Sequence, residues 1–135
     1  MITITPPLRG QDSQGSGEFG APRGNHTHQG IDLACMKDSL VRSVSAGSVT
    51  KIGYPYNPED PEKGHLRYVQ VTDRNGFDVR YFYIEPMVKL GDSVLSGYAI
   101  GKVQGLTDIY KGITDHFHFE VKQNGKIINP HTYLG

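Results

Sequence analysis

His116-Phe117-His118-Phe119-Glu120-Val121 is the stretch that decides the fold. Polar and apolar residues alternate across all six positions, which is the period of a β-strand and not of a helix. A strand from His116 to Lys122 sets His116, His118 and Glu120 on one face and Phe117, Phe119 and Val121 on the other. The apolar face anchors the strand in a core. The opposite face presents two imidazoles and a carboxylate side by side.

Working outward, the same period recurs between turn signals. Asn124-Gly125 turns this strand into Lys126 to Ile128, a hairpin. Tyr98 to Val103, Leu66 to Thr72 and Ser48 to Tyr54 read as further strands. Asp78 to Ile84 is another, with Val79, Tyr81 and Tyr83 on one face and Arg80, Phe82 and Ile84 on the other. Asn75-Gly76 precedes it, a dipeptide that favours φ > 0 at both turn positions. Residues Asp32 to Leu40 hold one short helical turn at most. The expected architecture is all-β, a compact single domain over residues 1–135 built mostly of antiparallel sheet. Three loops stand out: Arg9 to Gly24, Pro55 to Gly64 as an exposed excursion, and Thr107 to Asp115 just before the decisive strand.

Composition bounds the function. The chain has 135 residues, enough for one domain with a real core. Its 14 Lys+Arg balance 14 Asp+Glu, so a general electrostatic grip on nucleic acid or anionic lipid is not expected. No apolar run is long enough to span a bilayer, and no membrane insertion is expected. A single cysteine, Cys35, excludes an intramolecular disulfide framework and any cysteine-clustered zinc finger. Met1 to Pro7 has no basic segment leading into an apolar one, so no secretory signal peptide is expected there.

The chemistry gathers in two histidine groups. His116 and His118, two apart on one strand face, stand roughly 6–7 Å apart from the strand rise. Both can reach one small ion, or one can ligate while the other moves protons. Upstream, His28-Gln-Gly-Ile-Asp32 brackets Gly30, which gives the backbone a tight path between imidazole and carboxylate. His28, Asp32 and His118 together offer two nitrogens and one oxygen, a set suited to Zn²⁺. Three protein ligands leave a position open for water, as in catalytic zinc sites. Taken singly, either histidine motif is commonly surface decoration or packing.

At these residues the chain resembles the lysostaphin/LytM-type zinc endopeptidases of bacterial cell walls. Phe19-Gly20-Ala-Pro-Arg23 is similar to the family's opening segment, and His28-Gln-Gly30-Ile-Asp32 to its H-x-G-x-D zinc motif. Val41 to Gly53, then Val88-x-x-Gly91 through Ile100-Gly101, resemble its strand segments. His116-Phe-His118-Phe-Glu120 resembles H-L-H-F-E, and Asn129-Pro130 the usual ending. The resemblance implies a groove over a central antiparallel sheet, zinc on His28, Asp32 and His118, and a catalytic role for His116. It implies peptide-bond hydrolysis in the peptidoglycan stem or cross-bridge. One position departs: where the family carries a second catalytic histidine in Y-x-H, this chain has Tyr81-Phe82-Tyr83. A tyrosine is a poor base at neutral pH but can donate a hydrogen bond to an oxyanion. Tyr83 therefore either keeps a transition-state role beside His116 or marks a zinc-retaining, catalytically impaired module that binds cell wall or is structural. A hydrolase of this kind would be made in a host cytoplasm and act on the wall, as a bacteriophage lysin or virion component.

Other candidates rank lower. Glu120 reads equally as an acceptor for a ligand imidazole or as a surface carboxylate. His65 can substitute in space for the missing histidine. His26 reads as an exposed loop residue, His131 as structural or solvated, and Cys35 as a small core residue.

Overall fold

The computed structural model describes residues 9–10, 16–23 and 26–134. Met1 to Pro7, and residues 11–15 and 24 of the first expected loop, lie outside the described residues. The elements in chain order are β1 (Pro22–Arg23), β2 (His26–Thr27), β3 (Ile31–Ala34), β4 (Leu40–Arg42), β5 (Gly47–Gly53) and β6 (Tyr68–Asp73). They continue with β7 (Phe77–Phe82), β8 (Ile84–Pro86), β9 (Ser93–Val94), β10 (Ala99–Val103), β11 (His116–Gln123), β12 (Lys126–Ile128) and a terminal helix α1 (Pro130–Leu134). Residues 32–40 hold no helix, within the limit of one short turn expected there: β3 occupies the start and a turn leads into β4.

A large antiparallel sheet runs β12-β11-β7-β6-β5-β9, with β3 also paired to β11. A smaller sheet runs β4-β10-β8, and β1 pairs β2. The core lies between the two sheets, and cross-strand register builds it. Phe119, Tyr81 and Val69 are partners across β11, β7 and β6, as are Val121, Val79 and Val71 in the next row. All six are essentially inaccessible to solvent. Burying each such side chain stabilises the fold by roughly 1.5–3 kcal/mol. The Tyr81 hydroxyl is not orphaned there, since it accepts the Val44 N–H at 3.0 Å.

The opposite face of the same strands carries a second pair of rows. His118, Phe82 and Tyr68 are register partners, and so are Glu120, Arg80 and Gln70. His116, His118 and Glu120 are buried on this face too, so six consecutive residues of β11 are hidden from solvent. A strand buried on both faces must be covered twice. Here the core covers one side, and the other lines a recessed pocket whose remaining walls come from other segments.

Backbone dihedrals separate the two hairpins. Asn124 and Gly125 both take positive φ, 52° and 78°, as a two-residue hairpin turn requires. At the earlier hairpin only Gly76 does so, at 83°. The loop there is three residues, closed by Gly76 N–H to Asp73 O and by Asp73 Oδ1 accepting from Asn75 and Phe77. The Asp73 side chain fixes that longer turn, which the dipeptide alone does not reveal.

Tyr83 corrects the strand-face assignment. Its φ is 71°, a left-handed value that a bulky residue rarely adopts. It separates β7 from β8 and interrupts the alternation. Ile84 consequently enters the core, and Tyr83 turns to the pocket instead of lying beside Tyr81. Both Tyr83 N–H and Ile84 N–H donate to Arg67 O, at 2.7 and 3.3 Å, which holds the bend. Among the described residues no helix is long and apolar enough to cross a membrane.

Candidate metal centre

Register brings the two halves of the site together. His118 on β11 is the direct partner of Asp32 on β3. His28 arrives from the segment after β2, where its N–H donates to Ala21 O at 2.7 Å. His28 Nε2, Asp32 Oδ1 and His118 Nδ1 then form a near-equilateral triangle, with sides of 3.0, 2.9 and 3.1 Å. All three residues are buried. Nitrogen and oxygen ligands of tetrahedral zinc stand about 3.3 Å apart, from its bond lengths.

The outward-facing atoms decide which ring nitrogens are available. His28 Nδ1–H donates to Glu18 O at 2.9 Å, which leaves a lone pair on Nε2. His118 Nε2–H donates to Glu120 Oε1 at 3.0 Å, which directs Nδ1 inward. Two facing nitrogens and a carboxylate oxygen at this spacing need a cation among them. Without a metal, the surrounding acceptors favour a proton in that place. Burial lowers the His118 pKa, but hydrogen bonds to Asp32 and Glu120 outweigh it and the net shift is upward. Asp32 is raised by burial and lowered more strongly by hydrogen bonds from His118 and His28, so it stays ionised well below the usual carboxylate range. The donor set thus fits a divalent metal.

His116 completes the cluster. Its Nδ1–H donates to Thr114 O at 2.7 Å, and its Nε2 lies 3.4 Å from Asp32 Oδ2. Burial depresses its pKa, with Asp32 pulling the other way. Tyr83 packs edge-on against His116 with ring centroids 5.9 Å apart. Burial pushes its phenol well above 10, with nearby Tyr56 adding to the shift. Gly30 serves a purpose different from the expected tight path. A Cβ there would fall 2.8 Å from His118 Cε1 and 2.9 Å from Nε2, so the ring rests against bare backbone.

These groups line a pocket of about 470 Å³. Its walls include three residues that the sequence reading did not select. Arg9 is buried against Asp32. Tyr56, from the 55–64 excursion, and Tyr110, from the 107–115 loop, bring their hydroxyls within 3.3 Å, and Tyr83 joins Tyr56 at 3.4 Å. Lys63 Nζ lies over both the Tyr56 and Tyr110 rings, at 5.2 and 5.1 Å from the centroids, and braces the two loops. The loops were legible as loops, but their meeting across 54 positions was not. Glu120 resolves to a buried acceptor and not a surface carboxylate. His65 does not substitute for the missing histidine; it is exposed and lines a separate shallow cavity with Tyr54 and Arg67. His131 pairs with Glu18 at 2.9 Å on the surface, and Cys35 packs against the core. The His26 side chain lies outside the described residues.

An antiparallel β domain of this topology has the lysostaphin/LytM-type fold. The chain belongs to peptidase family M23, whose family model matches residues 26–130. It is similar to leukocyte cell-derived chemotaxin-2 of Mus musculus, 32% identical over 127 residues that span 94% of this chain and 79% of that one. The catalytic domain of the antimicrobial peptidase lysostaphin from Staphylococcus simulans superposes with a TM-score of 0.68 at 22% identity, covering 89% of this chain and 90% of that one. The catalytic domain of the prophage-encoded M23 protein EnpA from Enterococcus faecalis, in a mutant form, gives 0.71 at 21% identity, covering 99% and 96%. At these identities the two structures establish the fold.

Proposed function

We propose that the protein is a zinc-dependent endopeptidase that hydrolyses peptide bonds in the stem or cross-bridge of bacterial peptidoglycan. The observation that carries this reading is the convergence of His28 Nε2, Asp32 Oδ1 and His118 Nδ1 beside a fourth buried side chain, His116, whose Nε2 faces the same carboxylate. Zinc held by these three residues would polarise the scissile carbonyl and lower the pKa of a water to about 7.

The remaining roles fall to side chains already in place. His116 keeps Nε2 unprotonated, because Thr114 O takes its other N–H and burial depresses its pKa. It accepts the proton of the attacking water and returns one to the leaving amine. Tyr83 keeps its proton and donates a hydrogen bond to the oxyanion that develops on the carbonyl. Tyr56, Tyr110, Leu106 and Ile113 line the pocket and limit water around the reacting groups. The proposed place of action is the bacterial cell wall.

The test is release of soluble fragments from purified peptidoglycan by zinc-loaded protein, chelated protein and His116→Ala. Release that needs both zinc and His116 is the expected result. Bound zinc with no release from several cell-wall chemotypes overturns it.

A second reading is a zinc-retaining module that binds without cleaving. Tyr83 favours it, since a buried phenol with a raised pKa supplies no base. The mouse relative is likewise named for chemotaxis and not for hydrolysis.

A further inference from the structure

Arg9 is only 3% exposed, and it sits against a metal-ligand candidate. Its Nε and Nη2 both reach one oxygen of Asp32, Oδ2, at 3.0 and 2.9 Å. The other oxygen, Oδ1, faces His28 Nε2 and His118 Nδ1 at 3.1 and 2.9 Å. The carboxylate is divided: one oxygen belongs to the ligand triangle and the other to a guanidinium edge.

The placement is built into the backbone. Arg9 N–H donates to Asp32 O at 2.7 Å, Asp32 N–H to Gly17 O at 2.9 Å, and Gly17 N–H to Arg9 O at 3.1 Å. Three short segments are stitched together at the ligand itself. Gly17 permits this approach, because a Cβ there would fall 2.8 Å from Arg9 Cβ. Arg23 is a poorer candidate for the same task. Its Nη2 lies 3.6 Å from Oδ2 and donates instead to Ser16 O at 2.7 Å.

We propose that Arg9 is a positioning residue for the metal: it holds Asp32 as a one-oxygen ligand by keeping Oδ2 out of the coordination sphere. This rests on the metal reading of the site. A carboxylate with both oxygens free can close on an ion through either or both. A guanidinium edge that captures one oxygen with two charge-assisted hydrogen bonds removes that freedom by occupying Oδ2. The opposing effect is Coulombic, since a fixed positive charge beside a divalent cation weakens binding. The two effects predict opposite signs, which makes the assignment testable. Holding Oδ2 in place also keeps an acceptor 3.4 Å from His116 Nε2, ready for the proton that nitrogen takes up.

The experiment measures zinc affinity by competition with a chromophoric chelator for the wild type, Arg9→Met, Arg9→Lys, Gly17→Ala and His118→Ala. The visible absorption of the cobalt-loaded proteins is recorded in parallel. The wild type should bind one equivalent that His118→Ala loses; if His118→Ala binds as the wild type does, the metal reading itself fails and takes this inference with it. With that control met, Arg9→Met should bind zinc about 10–100-fold more weakly. Its cobalt band should also weaken as Oδ2 joins the ion and coordination number rises. Arg9→Lys should recover part of the affinity, and Gly17→Ala should lose it with Arg9 still present. If Arg9→Met does not fold, Arg9→Lys carries the test through its cobalt spectrum. Unchanged or tighter binding with an unchanged spectrum overturns the proposal, because removing the charge would then have cost no geometry.

Discussion

His118 and Asp32 are direct partners across two antiparallel strands, and Nδ1 of one lies 2.9 Å from Oδ1 of the other. Two ligand candidates 86 positions apart are thus set by the register of β11 on β3 and not by a loop. A slip of one residue would send His118 to the core face.

Gly30→Ala tests how closely that ring is held. The added methyl meets His118 and the Phe119 backbone, so the ring or the strand must shift. Zinc affinity should fall about 10–100-fold. Stability in a denaturant titration should fall by about 1–3 kcal/mol. Wild-type zinc affinity in the variant would show that His118 sits elsewhere.

Glu120→Ala removes the acceptor that directs the His118 lone pair inward. Chelator competition should show an affinity loss of about 10–100-fold. Glu120→Gln should lose less, because its carbonyl still accepts the Nε2–H. Equal affinity in all three proteins would reduce Glu120 to a partner of Arg80, 3.6 Å away.

Tyr83→Phe separates metal from turnover. One zinc should remain bound, while fragment release from peptidoglycan drops by about 100-fold, the worth of an oxyanion donor. Undiminished release would leave the hydroxyl without a role in the reaction.

Zinc loading should release a proton. The His118 pKa is raised because carboxylates face both ring nitrogens, and the ion must displace the inward proton. Calorimetry in buffers of different ionisation enthalpy reads this directly. Apparent zinc affinity should weaken as pH falls; an affinity flat through the histidine range contradicts the assignment.

Acid unfolding of chelator-treated protein isolates Asp32. Its folded pKa lies well below the ordinary value of 3.8. Below that value the unfolded chain takes up a proton that the folded chain does not, so stability falls as pH falls. The contribution is complete above the unfolded pKa. Asp32→Asn should lack this share of the decline from about pH 4 downward. Parallel curves for the two proteins would show that Asp32 is not held ionised.

The fold was legible wherever a strand alternates. His116 to Val121, with its hairpin at Asn124-Gly125, could be read directly because both period and turn chemistry are local. β3 was not read, since Ile31–Ala34 is four residues long and buries an aspartate that looks like an interruption. Tyr83 was assigned to the wrong face because a left-handed residue leaves no mark on the alternation until its dihedral is seen. The candidate ligand cluster of His28, Asp32 and His118 followed from spacing and family likeness together, and the structure brings the three within reach of one ion. Arg9 had no local signal, for its partner lies 23 positions away and the glycine that admits it looks like any other in a polar loop.

The backbone at Tyr83 has a further consequence. Histidine occupies left-handed φ more readily than a bulky aromatic does. The bend that carries Tyr83 into the pocket therefore also suits the histidine that the family resemblance implies at this position. In the genetic code tyrosine and histidine codons differ by a single base. A pocket with tyrosine at this position and a pocket with histidine there are therefore one base apart, and the bend at position 83 accommodates either without rebuilding the sheet.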